Sequence, residues 1–192
     1  MSYIKAACLL FHMPLIHAYF YIPNESDNWL NHLVTKWDPP YAHCDIQFQD
    51  GMASSVFRGE KIYWKTRRFS KPGYSRVTLA VNQAEYDRAY ELCRRRYTSS
   101  VEFDAVGMFS LPMATMVNTH RNTHTFCSKH CTEVLQTAGV RSVMNLTPQA
   151  MTPSALRRVL QDESVLHTDR IDLRIQDLGA VSSRTGNACG SK

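Results

Sequence analysis

Cys127 heads a segment, CSKHCTEVLQTAG, whose apolar positions fall at Cys127, Cys131, Val134, Leu135 and Ala138. That spacing is one stripe of an α-helix, and Gly139 follows where a left-handed residue would end it. A thiol in the first turn of such a helix faces unpaired backbone N–H groups and the positive end of the helix dipole, both of which favour thiolate over thiol. Cys127 is therefore placed to act as a nucleophile. Cysteine is also among the residues most often buried, so Cys127 and Cys131 equally fit a packed core stripe.

A thiolate nucleophile needs a base or ion-pair partner, and histidine supplies it from wherever the fold brings one near. His43 begins the segment HCDIQFQ, in which Cys44, Ile46 and Phe48 alternate with His43, Asp45 and Gln47. Period-two alternation predicts a half-buried strand with a polar face that carries His43 and Asp45 together. Asp45 would either orient the imidazole or stay solvated, and His43 alone also fits a hydrogen-bonded structural histidine. His120, His124 and His130 are nearer to Cys127 in sequence, and His130 is expected to point outward. The same stretch offers a second chemistry, because His120, His124, Cys127, His130 and Cys131 all carry atoms that zinc accepts. Paired knuckles at the familiar spacing are missing and one short segment would have to provide every ligand, so a structural zinc module stands as the alternative. The nucleophile reading calls for no cofactor and no metal.

The elements that must position these residues follow from local patterns. Asp50-Gly51 predicts a tight turn, which makes MASSVFRG the antiparallel return of the histidine strand. KIYWK and SRVTLAV read as further strands separated by the turn SKPGY. SDNWLNHLVTKW predicts a short helix capped by Ser26 or Asp27, with Trp29, Leu30, Leu33, Val34 and Trp37 as its stripe and Asp38-Pro39-Pro40 as its stop. NQAEYDRAYELCRRRY opens on a capping box, Asn82 with Glu85, and turns Tyr86, Ala89, Tyr90, Cys93 and Tyr97 inward. Thr152 and Pro153 start a last helix, TPSALRRVLQ. Strands, then a helix, then the cysteine-led helix predict an α+β domain in which a mostly antiparallel sheet packs against that helix.

A chain of 192 residues with 44% hydrophobic content suits a single cored domain, here residues 1–178, followed by a flexible tail over 179–192. The net charge of +5 comes in part from local runs, Lys65 to Arg68 and Arg94 to Arg96, which read as solvated faces and do not single out nucleic acid as a partner. Six dispersed cysteines in apolar patterns favour reduced thiols in a cytoplasmic setting over a disulfide framework. The apolar start is broken by His12, Pro14 and His17, which predicts a strand and loop in preference to a signal peptide. No stretch has the length of a transmembrane helix.

AHCDIQFQDGMASS, FDAVGM, TFCSKHCTEVL and TPSAL occur in that order over roughly residues 40 to 160. In order and spacing they resemble the circularly permuted papain-like branch of the NlpC-type superfamily of bacteria, phages and large DNA viruses. The resemblance implies a histidine strand ahead of the cysteine-led helix, with Cys127 as nucleophile and His43 as general base and acid. Asp45 matches a position that is often acidic. Relatives often carry glutamate directly after the Cys-Ser pair, where this chain has Lys129, and they draw a third polar residue from the return strand, here Ser54, Ser55 or Glu60. The implied activity is a thiol hydrolase or acyltransferase on a peptide, cell-wall-like amide, isopeptide or lipid ester, working in a cell or host-cell cytoplasm or a virion. Lys129 and the open third position also admit an inactive binding or virion protein on the same fold.

Overall fold

The computed structural model of the chain describes residues 13–109 and 124–161. Cys8, His12, His120, Cys189, the start of the chain before residue 13 and the tail placed at 179–192 lie outside the described residues.

Five strands form one antiparallel sheet in the order β4-β3-β2-β1-β5: β1 Leu15–Tyr21, β2 His43–Phe48, β3 Met52–Ser55, β4 Tyr63–Thr66 and β5 Tyr74–Ala80. In β1 the alternation is clean, with Ile16, Ala18 and Phe20 buried and the residues between them half-buried. Asp50 and Gly51 make the β2–β3 turn, where Gly51 adopts φ +87°, a region that a residue with a Cβ rarely enters. Between β1 and β2 runs helix α1, Trp29–Trp37, and after β5 comes α2, Gln83–Thr98. A short parallel pair, β6 Glu102–Phe103 with β7 His124–Thr125, frames α3, Ala105–Phe109. Helix α4, Cys127–Thr137, follows directly, and helical residues 153–161 form α5. The chain is α+β, as the element order predicts.

Sheet register decides which side chains meet. Ile46 pairs with Ser54, and Ser54 with Trp64, so these share one face with Cys44 and Phe48. Here α2, α4 and α5 cover the sheet, and Cys44, Ile46, Ala89, Cys93, Cys131, Leu135 and Leu156 form the main core. The opposite face carries Tyr21 opposite His43, Tyr19 opposite Asp45, and Ser55 opposite Tyr63.

Four local expectations need correction. β2 is not half-buried: His43 and Asp45 are as enclosed as the apolar residues beside them, because loops and aromatic rings close over their face. The cap of α1 is Asn28, whose side chain accepts from the N–H groups of Leu30 and Asn31, since Asp27 is engaged by the Tyr21 hydroxyl at 2.8 Å. Only Leu30 and Val34 of the proposed α1 stripe are buried, whereas Trp29 is 61% exposed. In α2, Asn82 accepts from the Glu85 N–H as a cap should, and Ala89 and Cys93 face the core, but Tyr97 lies outside it.

Candidate active site

Cys127 occupies the first position of α4, preceded by Phe126, whose side chain has no acceptor for the helix's opening N–H groups. Those donors and the dipole behind them are therefore directed at whatever sits beside the sulfur. The far end of α4 is fixed by Gly139 at φ +69°, with Gly139 N–H bonding to Gln136 and Val140 N–H to Leu135, the paired bonds of a Schellman stop. Packing of Cys131, Val134 and Leu135 on the sheet then presents Cys127 where β2 begins.

There it meets His43. Both side chains line one cleft, each favours the charged form of the other, and Cys44 acts on the same sulfur. Asp45 stands behind the imidazole, with Oδ1 at 3.3 Å from Nε2. The Phe57 ring stacks on the other side of the imidazole at a centroid distance of 4.5 Å and an angle of 17°. With Nε2 committed to Asp45, Nδ1 is the ring nitrogen left to exchange a proton with the thiol.

The electrostatics follow from these contacts. Burial opposes a charge on His43, but the negative charge of Asp45 and that of the Cys127 sulfur outweigh it and raise the imidazole to about 10. Cys44 is the largest influence on Cys127. Together with the His43 charge it overcomes burial and holds Cys127 well below the ordinary thiol range. Burial pushes Cys131 and Cys93 the other way, Cys93 to about 12. The opposed shifts favour an imidazolium–thiolate pair over the neutral one.

Asp45 is fully buried, and its Oδ1 also accepts from the Tyr63 hydroxyl and from Arg67 Nη1, the latter at 2.8 Å. Sequence reasoning missed Tyr63, Arg67, Phe57 and Cys44. Arg67 read as part of a solvated basic run, yet its side chain is only 22% exposed and paired with Asp45. The signal that finds Tyr63 is its register opposite Ser55, which puts it two strands from Asp45 on the same face, and no local pattern reveals this.

The other expected residues lie elsewhere. Ser54 is turned to the helix face, where its hydroxyl is 2.9 Å from His130 Nε2. Ser55 donates to the Cys44 carbonyl at 2.7 Å, and Glu60 lines the cleft without a bond to His43. His130 does not point outward: it is completely buried, and its Nδ1 is 3.1 Å from Arg96 Nη1. Because a guanidinium only donates, Nδ1 is the acceptor and Nε2 carries the hydrogen toward Ser54. Burial and the Arg96 charge hold His130 well below the ordinary histidine range, so this Ser–His pair is a neutral structural bond. Lys129 is buried and donates to the His124 carbonyl at 3.3 Å, which ties the start of α4 to β7. Among the described residues no group of three or more His, Cys, Asp or Glu side chains is arranged to hold a metal ion.

The Cys127–His43 pair opens into a cleft of 540 Å³. Leu30, Val34, Val56, Phe103 and Met108 make an apolar wall, and Asn31, Arg58, Arg68 and Lys71 line it with polar groups. The Cys127 sulfur and the His43 imidazole line this space, and the uncapped N–H groups at the start of α4 lie beside Cys127. Such a set can attack a carbonyl, hold the resulting oxyanion and protonate a leaving group. Comparison with protein families, with curated proteins and with solved structures returned no match for this chain.

Proposed function

We propose that the chain is a cysteine-nucleophile hydrolase or acyltransferase on a permuted papain-like fold, acting on an amide, isopeptide or ester bond. The observation that carries the reading is the convergence of Cys127, at the head of α4, and His43 on one cleft, with Asp45 Oδ1 at 3.3 Å from His43 Nε2. The chain order, histidine strand before cysteine helix, agrees with the permuted arrangement.

The Cys127 thiolate attacks the carbonyl carbon, forming a C–S bond while the carbonyl electrons move to oxygen. N–H groups at the start of α4 receive that oxyanion. Collapse of the intermediate breaks the bond to the leaving nitrogen or oxygen, which takes the proton held by His43. Water, or an acceptor amine or alcohol, then gives its proton to His43 as it attacks the thioester, and the acyl group departs with Cys127 restored as thiolate. Asp45 keeps the imidazole oriented and favours its charged form in both halves.

A generic acyl donor tests the assignment without knowledge of the natural substrate. Mixing with p-nitrophenyl acetate is expected to release p-nitrophenolate and to leave one acetyl group on the peptide that contains Cys127. Cys127→Ala is expected to lose the adduct, and His43→Ala to slow its formation by about 100-fold or more, the scale of a general acid–base group. Acetylation spread evenly over surface lysines, with none on Cys127, would instead leave the fold as a binding protein.

A further inference from the structure

Asp45 Oδ1 accepts three donors: His43 Nε2 at 3.3 Å, Arg67 Nη1 at 2.8 Å and the Tyr63 hydroxyl. The bond to His43 is longer than the bond to Arg67, so the guanidinium and the imidazole compete for one oxygen. Asp45 Oδ2 is buried and has no hydrogen-bond partner among the described residues, so the carboxylate is held by what reaches Oδ1.

Arg67 is itself held on every side. Its Nη1 donates to Tyr63 Oη at 2.7 Å and its Nη2 to Tyr74 Oη at 2.8 Å. The guanidinium lies 4.8 Å from the Phe69 ring centre and 5.2 Å from that of Phe57, the ring that stacks on His43. Its backbone carbonyl accepts from Gln47 Nε2 at 2.7 Å, which anchors the residue to β2 itself. A planar fork that satisfies two phenols and a carboxylate at once is geometry a lysine cannot reproduce.

We propose that Arg67 is a positioning residue for the Asp45–His43 pair, and that its fixed positive charge sets the pH range over which the Cys127–His43 couple is charged. This rests on the reading of Cys127 and His43 as the reactive pair. A cation beside this cluster favours the deprotonated form of every neighbour, so it helps Cys127 stay thiolate and tempers the hold of Asp45 on the imidazolium. The groups facing the pair from β2 are Asp45 and Cys44, and from α4 Cys127 and Cys131. From β4 and β5 come Tyr63 and Tyr74, both pushed upward and neutral across the working range. The cleft wall adds Asp27 and Glu60 against Arg58, Arg68 and Lys71. Arg67 is the cation bonded directly to Asp45.

The test compares Arg67→Gln, which removes the charge, with Arg67→Lys, which keeps it and loses the fork. In the wild type and both variants, alkylation of Cys127 by iodoacetamide is followed against pH by peptide mass spectrometry, and the His43 ring is titrated by NMR in a Cys127→Ala background. Arg67→Gln is expected to move both the onset of alkylation and the His43 titration to higher pH. Arg67→Lys should leave their positions near those of the wild type while lowering the alkylation rate several-fold. Unmoved profiles in a folded Arg67→Gln protein would overturn the inference. Should that variant not fold, the His43 titration in Asp45→Asn is compared with Asp45→Asn/Arg67→Gln, where no buried carboxylate is left unpaired, and identical titrations would again overturn it. A wild-type Cys127 that does not alkylate counts against the proposed function alone, because the His43 titration still decides the role of Arg67.

Discussion

Two cysteines one helical turn apart have opposite properties because their neighbours differ. Cys44 lowers both thiols, but for Cys127 that influence and the His43 charge outweigh burial, whereas for Cys131 burial is the largest influence and raises it. In the sequence both belong to one apolar stripe, and the first-turn position of Cys127 is what sets it apart. Cys131→Ala is expected to cost on the order of 1 kcal/mol in chemical denaturation, the scale of a small core truncation, and to leave alkylation of Cys127 intact. Loss of Cys127 alkylation in a folded Cys131→Ala protein would show that the two thiols share the role. His43 and Asp45 were legible as a pair from strand alternation alone, since period two must put them on the same face. Their burial was not legible, because the rings and chain that cover them come from Phe57, Tyr63 and Arg67, brought in by sheet register rather than by local sequence.

At the scale of elements, the sequence was most informative where the deciding contacts are local. The Asp50-Gly51 turn, the Asn82 cap and the Thr152 cap, whose hydroxyl accepts from the Ala155 N–H at 3.0 Å, all depend on residues within three or four positions. It was least informative where a distant group takes one of several equivalent candidates. Ser26, Asp27 and Asn28 all qualify as caps for α1, and the Tyr21 hydroxyl removes Asp27 from the contest. Thr152 does more than cap its own helix. Its hydroxyl also bonds Asp38, whose carboxylate is clasped by Arg158 at 2.9 and 3.0 Å, joining the end of α1 to α5. The stop of α4 yields the clearest element-scale prediction. Gly139→Ala places a Cβ at positive φ and 2.4 Å from Glu85 Oε1, so Glu85 must move and the backbone must strain. The expected loss is about 1 to 2 kcal/mol in thermal or denaturant unfolding. An unchanged midpoint would mean that this Schellman turn does not hold α4 in place.

For the whole molecule, the sheet has a division of labour between its faces. One face, under α2, α4 and α5, supplies the core, and polar links such as the buried Ser54–His130 pair and the part-buried Arg96–Glu133 pair at 2.7 Å register the helices on it. The other face holds the Asp45 network and opens into the cleft. Cys127 sits where the two meet, at the end of a helix from one side and beside a histidine from the other. The rate of alkylation of Cys127 against pH probes that junction, with Cys44, Cys93 and Cys131 as internal controls in the same digest. Because the folded Cys127 lies well below the ordinary thiol value near 9, its alkylation is expected to stay fast as the pH falls through neutrality, and His43→Ala should return the onset toward 9, while the three buried thiols stay silent until the protein unfolds. A Cys127 rate that rises only near pH 9, and is the same with and without His43, would contradict the account.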